Sequence, residues 1–211
     1  MNLELSVDRA VAEATERAVV ADPGAKLDDR AGERAARHRA LTGLGAALAV
    51  EAEARTLTAG VTAGRAEVAV WLGASLADLG GVTGRSRQAA RKRWPHLGAV
   101  HRRRHWLGNH VDDLLWAVHL VLDADLEGAD PATREALAAA VAATERDFAG
   151  EPADLDAAVA RWRALDVLVD VRLRELLAGV PEEPADPSAG FAAHGARGVL
   201  RYYDHAVHSA E

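Results

Sequence analysis

The chain of 211 residues contains no cysteine. Disulfides and thiolate metal sites are thereby excluded, and a reducing cytoplasm is the expected setting. Strand formers are thin, with only two tyrosines and two phenylalanines, so there is little from which to build a sheet. No run approaches the ~18 apolar residues that a membrane span requires. The opening Met1-Asn2-Leu3-Glu4-Leu5 lacks the basic and then apolar segments of a secretory leader. Lysine occurs only at Lys26 and Lys92 while arginine is abundant, a usage expected of a GC-rich bacterial genome. No phosphate-cradling glycine loop, nucleophile elbow or motif-supported carboxylate pair is visible, so the expectation is of no enzyme and no cofactor.

What is present is helical. Apolar residues make up 49% of the chain, a globular composition dominated by alanine and leucine, and the periodicity predicts an all-α protein. Val7, Val11, Ala14 and Ala18 mark a first helix that Asp22-Pro23-Gly24 is expected to end. A second starts near Asp28 and carries Leu41, Leu44 and Leu48 on one face. Its continuation holds Leu57, Val61, Val68 and Leu72, with Gly60 and Gly64 as expected points of bending. Residues 95 to 104 read as a connector. Leu107, Val111, Leu114, Val118 and Leu122 form a clear stripe. Asp130-Pro131 opens a helix with Leu137, Val141 and Phe148. Asp154 opens one with Leu155, Val159, Trp162, Val169, Leu173 and Leu176, closed by Gly179 and Pro181. After a linker over 181–188, a last helix holds Phe191, Leu200, Tyr203 and Val207. The expected organisation is N-terminal scaffold or dimerisation helices over 1–72, a basic module over 73–104 and a C-terminal helical bundle over 105–211.

The net charge is −7, yet from Leu79 to Val111 there is no acidic residue. That stretch holds Arg85, Arg87, Arg91, Lys92, Arg93, Arg102, Arg103 and Arg104. The remainder carries 17 basic against 32 acidic residues, a formal −15. One concentrated cationic patch on an acidic body is the footprint of a local polyanion site.

The patch coincides with a turn motif over residues 74 to 94. Ser75 can cap a short helix bearing Leu76 and Leu79 inward. Gly80 lets a second helix pack close, and Gly84 can take a positive φ. Ser86 caps that second helix, whose inner side is Ala89, Ala90 and Trp94. Arg87, Gln88 and Arg91 then project outward. Arginine can pair bidentately with guanine and glutamine with adenine, so these three are the expected base readers. Arg85, Ser86, Lys92, Arg93, Arg102, Arg103 and Arg104 are the expected phosphate contacts.

The segment resembles a helix-turn-helix frequent in actinobacterial DNA-binding, transcriptional regulator-like proteins. The match is carried by Gly73, Ala74, Ser75, Ala77, Gly80, Gly84, Ser86, Arg87, Gln88, Ala89, Ala90, Arg93 and Trp94, about a tenth of the chain. The resemblance implies double-stranded DNA as partner, with Arg87 and Gln88 reading bases from a recognition helix that starts at Ser86. Two positions depart from the pattern. Thr83 stands where a leucine is usual and Arg85 where a valine is usual, so Val82 is expected to fill the leucine's place.

A regulator of this kind is expected in the cytoplasm, associated with the nucleoid. The apolar stripes outside the motif would suit a two-fold homodimer on a palindromic site. One alternative adds a small-molecule effector in a C-terminal pocket lined by Trp116, Trp162 and Tyr203. Another is a helical adaptor that binds an acidic protein partner. The five tryptophans are read as core. His101 and His105, and His205 and His208, have ligand spacing, but no completing pattern supports a metal; His96, His101 and His105 are read as phosphate neighbours. Asp166 lies on or beside an apolar face. It is read as left wet by a tilted stripe, with a salt-bridged interface position or a pocket as the other options.

Overall fold

The computed structural model describes residues 3–20 and 31–208. The protein is all-α, with no strand among the described residues. Helix α1 spans Leu3–Val20, α2 Ala31–Trp71, α3 Leu76–Val82, α4 Arg87–Arg93, α5 Leu97–Asp123 and α6 Pro131–Phe148. Helix α7, Leu155–Val167, continues through a π-helical turn, Leu168–Leu173, into α8, Arg174–Ala178. Helix α9 spans Pro187–His208. Among the described residues no helix is long and apolar enough to cross a membrane.

Several boundaries follow from local chemistry. Asp130 accepts from the Thr133 N–H at 2.9 Å with Pro131 in the first turn of α6, and Asp154 accepts from Ala157 at 2.7 Å to start α7. The linker ends at Asp186, whose carboxylate takes the Ala189 N–H at 2.7 Å. Arg197 of α9 reaches back to the carbonyls of Val180 and Pro181 at 2.7 and 3.0 Å, pinning the linker's start. The expected stop at Asp22-Pro23-Gly24 and the expected start near Asp28 lie outside the described residues.

Other boundaries differ from the sequence reading. Gly60 and Gly64 leave α2 helical, because alanine and other good helix formers flank them. Residues 97 to 104 are not connector but the first two turns of α5, so the expected boundary after residue 104 falls inside a helix. Leu97 and Val100 extend the stripe of Leu107 and Leu114 toward the N-terminus, which is why the helix starts there. The helix kinks at His110 (φ −132°, ψ 18°), whose Nδ1–H donates to the Trp106 carbonyl at 2.8 Å.

The chain divides into two compact units, residues 1–64 and 65–211. In the first, Thr15 of α1 approaches Gly43 of α2, and Ala46 is buried. Leu41, Leu44, Leu48, Leu57 and Val61 all stand exposed.

In the second unit, α5 and α9 pack along each other. Ala189, Ala192, Ala193 and Ala196 are buried on α9, and such small side chains let two helix axes approach closely. Leu107, Leu114 and Val118 of α5, Leu137 of α6, and Leu165, Leu168, Leu173 and Leu176 of the α7–α8 segment complete one core with Tyr203. Leu155 and Phe191, named with apolar residues of their helices that are buried, are themselves exposed, each near the start of its helix. Trp71, Trp94, Trp106 and Trp162 are buried, but Trp116 is 58% exposed.

Asp166 is the main correction to the core. It is buried, not wet. The Tyr203 hydroxyl donates to its Oδ1 at 2.5 Å and Arg103 Nη1 lies 3.2 Å from its Oδ2. The same arginine reaches Asp170 at 4.0 Å, and Arg174 joins Asp170 to Asp204 of α9. Burial pushes the Asp166 carboxyl above its ordinary value of 3.8, against the opposing pull of Tyr203 and Arg103. Burial and the adjoining carboxylate likewise raise the Tyr203 phenol, so it stays a donor. An acid whose folded pKa is raised keeps its proton in the folded chain where the unfolded chain has lost it. Its contribution to stability is therefore complete below 3.8 and lost as pH rises through the folded value. Urea denaturation across this window should show wild-type stability falling relative to Asp166→Asn as pH increases. A pH-independent difference between the two proteins would show that the carboxyl titrates normally.

Candidate nucleic-acid interface

The α3–α4 pair is built from capping and close approach. Ser75 Oγ accepts from the Asp78 N–H at 3.2 Å, while Asp78 Oδ2 accepts from the Ser75 N–H at 2.8 Å and its hydroxyl at 2.7 Å. These hydrogen bonds from the Ser75 hydroxyl and backbone, with His101 nearby, hold the Asp78 carboxyl below its ordinary range. Ser86 Oγ accepts from the Ala89 N–H at 3.2 Å and starts α4. Between the helices, Gly84 has φ +64°, a conformation that favours glycine.

Gly80 sets the spacing. A Cβ there would lie 2.7 Å from the Arg85 carbonyl oxygen and 3.2 Å from the Arg87 nitrogen. The Arg85 N–H donates to the Gly80 carbonyl at 2.8 Å. The turn backbone thus rests directly on α3. Thr83 is half-buried, and its hydroxyl donates to the Leu79 carbonyl at 2.9 Å. Val82 is 89% exposed and does not fill an inward position. The threonine turns inward because its hydroxyl satisfies a carbonyl at the end of α3, and this leaves the valine outside.

Leu76, Leu79, Ala90, Trp94 and Leu97 are buried apart from the main core cluster. With Ala90 and Trp94 inside, α4 turns its other side outward. Arg85, Ser86, Arg87, Gln88, Arg91, Lys92 and Arg93 are all exposed. The Arg93 guanidinium lies over the Trp94 ring at 4.8 Å.

The arginines of α5 behave differently from those of α4. Arg102 Nε donates to the Val207 carbonyl of α9 at 2.9 Å. Arg103 is tied to Asp166. Arg104 Nε donates to the Trp71 carbonyl at 2.9 Å, with its guanidinium 3.3 Å from the Trp162 ring centre. Burial, with Arg161 nearby, holds its pKa below the ordinary value. Successive helix positions point about 100° apart, so three neighbouring arginines meet three different partners. Arg103 and Arg104 are counter-ion and packing groups, set apart from the exposed cations of α4.

Arg102 retains an exposed side. It joins Arg87, Arg91 and His101 around a cleft of about 210 Å3, whose walls also include Ser75, Leu76, Ala77 and Gly98. His101 also stacks parallel to His105, 6.1 Å away, and His105 meets Asn109 at 3.3 Å. A second depression beside these residues includes Arg104 and Trp162. Sequence spacing named the arginines and histidines but gave no sign that α4 and α5 would enclose a common space.

Among the described residues, no group of three or more His, Asp or Glu side chains is placed to hold a metal ion. The aromatic trio read as an effector pocket is dispersed. Trp116 is exposed, Trp162 packs edge-on against Phe148, and Tyr203 packs against Trp106 with its hydroxyl on Asp166. Compared with models of protein families, with curated proteins and with solved structures, the chain matches none.

The Gly80 contact yields a direct test. Gly80→Ala would press a methyl group onto backbone that cannot rotate away, and overpacking of this kind costs about 1–3 kcal/mol. Chemical denaturation followed by circular dichroism should show that loss. A change within about 0.5 kcal/mol, typical of neutral surface substitutions, would mean that the turn relaxes freely.

Proposed function

We propose that the protein binds double-stranded DNA and acts as a transcriptional regulator, with α4 entering the major groove. The observation that carries this reading is the outward face of α4. Arg85, Ser86, Arg87, Gln88, Arg91, Lys92 and Arg93 are exposed together, in a 33-residue stretch that has no acidic residue. Groove readers place the N-terminal residues of a short helix against base edges, and Arg87, Gln88 and Arg91 are the candidates for that role on α4. Lys92, Arg93, Arg85 and Ser86 flank them as phosphate contacts. Arg103 and Arg104 drop out of the phosphate set because their guanidiniums serve the protein's own core.

Electrophoretic shift of random duplex DNA at two salt concentrations tests the reading. Affinity should fall steeply with salt, because each neutralised phosphate releases counterions. In a pool of random duplexes, Arg87→Ala combined with Gln88→Ala should erase sequence preference and retain weaker binding. A wild-type chain that ignores duplex DNA but captures an acidic protein in a salt-dependent way would favour the adaptor reading.

The second part of the proposal is a homodimer. Its surface is the exposed leucine face of α2, and its occupant is a second copy of the same face. Among the described residues of α2 up to residue 64, Ala46 alone is buried. An exposed apolar stripe marks an association surface. Two copies of α2 joined face to face would bury Leu41, Leu44 and Leu48 against their own copies, as two-fold symmetry requires. A two-fold regulator then places its recognition helices about 34 Å apart on a palindrome. Sedimentation should show a dimer at micromolar concentration, and Leu44→Asp should shift it to a monomer. A monomeric wild-type protein would overturn this part.

A further inference from the structure

The cleft between the start of α3, one side of α4 and the first turns of α5 divides the labour among the cations of α4. We propose that it seats one phosphate group of the polynucleotide backbone. Arg87, Arg91, His101 and Arg102 then hold that phosphate, and Gln88 remains as the base-reading side chain of the trio. The inference rests on the duplex-DNA reading and narrows it.

Four observations carry it. First, the walls hold three arginines and a histidine and no acidic residue, which is the composition an anion needs. Second, Arg87 and Arg91 are four apart and therefore share one side of α4, the side that meets Gly98, His101 and Arg102 of α5. Gln88 is about 100° round the helix and takes no part in the wall. Third, Arg102 is held in place through a different part of its guanidinium. Its Nε is committed to the Val207 carbonyl, and its Nη1 extends toward Gly98, where no side chain fills the space. Fourth, no Phe, Tyr or Trp ring lines the cleft, and its one imidazole, His101, already lies parallel to His105, so an unstacked base would find no broad platform there.

The acid that faces this group is Asp78, through His101. Its carboxylate already accepts two hydrogen bonds from Ser75. Arg87, Arg91 and His101 also keep contacts within the chain.

The assignment separates two kinds of loss. Take the full chain and a fluorescent 20-base-pair duplex, and measure affinity by anisotropy over a series of salt concentrations. In parallel, sequence the duplexes retained from a random pool. Arg91→Gln should weaken binding to all duplexes alike and lower the salt slope by about one unit, the value of one phosphate. The ranking of retained sequences should stay as in wild type. His101→Gln should weaken binding in the same uniform way. Gln88→Ala should flatten the ranking and leave the salt slope unchanged. Circular dichroism confirms that each variant folds, since all three positions lie on exposed or half-buried turns.

If Arg91→Gln alters the ranking at one base position and leaves the slope unchanged, Arg91 reads a base. The cleft assignment is then wrong, while the DNA reading stands. If it changes neither affinity nor ranking, the cleft is likewise not a phosphate seat. A wild-type chain that binds no duplex at any salt overturns the DNA reading, and the cleft's backbone assignment falls with it.

Discussion

A carboxylate cannot sit in an apolar interior unless its charge is answered, and Asp166 is answered from two other helices. Arg103 comes from α5 and Tyr203 from α9. The first half of α9 buries four alanines, which pack closely but specify position weakly because one small side chain substitutes for another. The polar bonds fix how far each helix can slide. The residue before Arg103 carries its guanidinium to the last turn of α9, and the residue after it ties α5 to the end of α2. Once Asp166 places Arg103, the directions of its two neighbours follow from helical geometry. The wall that faces α4 is thus anchored by a charge pair deep in the bundle.

The chain's charge distribution takes on a different meaning in three dimensions. As a linear run, Arg102, Arg103 and Arg104 appear as an extension of the basic module. In space they disperse: one is shared between a carbonyl and the cleft, one balances a buried acid, and one is stacked on indole. The arginines of α4 stand exposed, because alanine occupies the positions next to the body. The same residue type therefore serves as structural counter-ion on α5 and as surface charge on α4, and the surrounding side chains decide which.

Much of the fold was legible because helix signals are local. Asp130 and Asp154 cap where their sequences say, Ser75 and Ser86 frame the short helices, and Gly84 turns as its lack of a side chain allows. The long stripes of α5 and α6 were readable from periodicity. What was not readable depended on partners distant in sequence. Periodicity groups Leu41, Leu44 and Leu48 on a face, but it cannot tell that this face stands exposed while Ala46 is buried. It places Trp116 on a stripe without revealing that the stripe is wider than its cover. Asp166 looked like a misfit on an apolar face because its partners lie 63 residues before it and 37 after it. Val82 and Thr83 exchanged their expected roles for a local reason, a hydroxyl bond to a helix carbonyl, which apolarity alone does not weigh. The protein's target rests on surface chemistry, and only the identities of the exposed groups, not their grouping into a cleft, were written in the linear motif.

The π-helical turn between α7 and α8 has a consequence for how this chain can vary in length. A π turn accommodates one residue more than the α-helical turn it replaces. Leu168, Val169 and Leu173 all remain buried through it, so the extra residue is absorbed without breaking the helix or exposing its apolar face. Relatives of different length in this segment could therefore share the bundle unchanged. An alignment that forces a gap into the neighbouring loops, rather than between Leu168 and Leu173, would shift Asp166 out of phase with the residues that neutralise it.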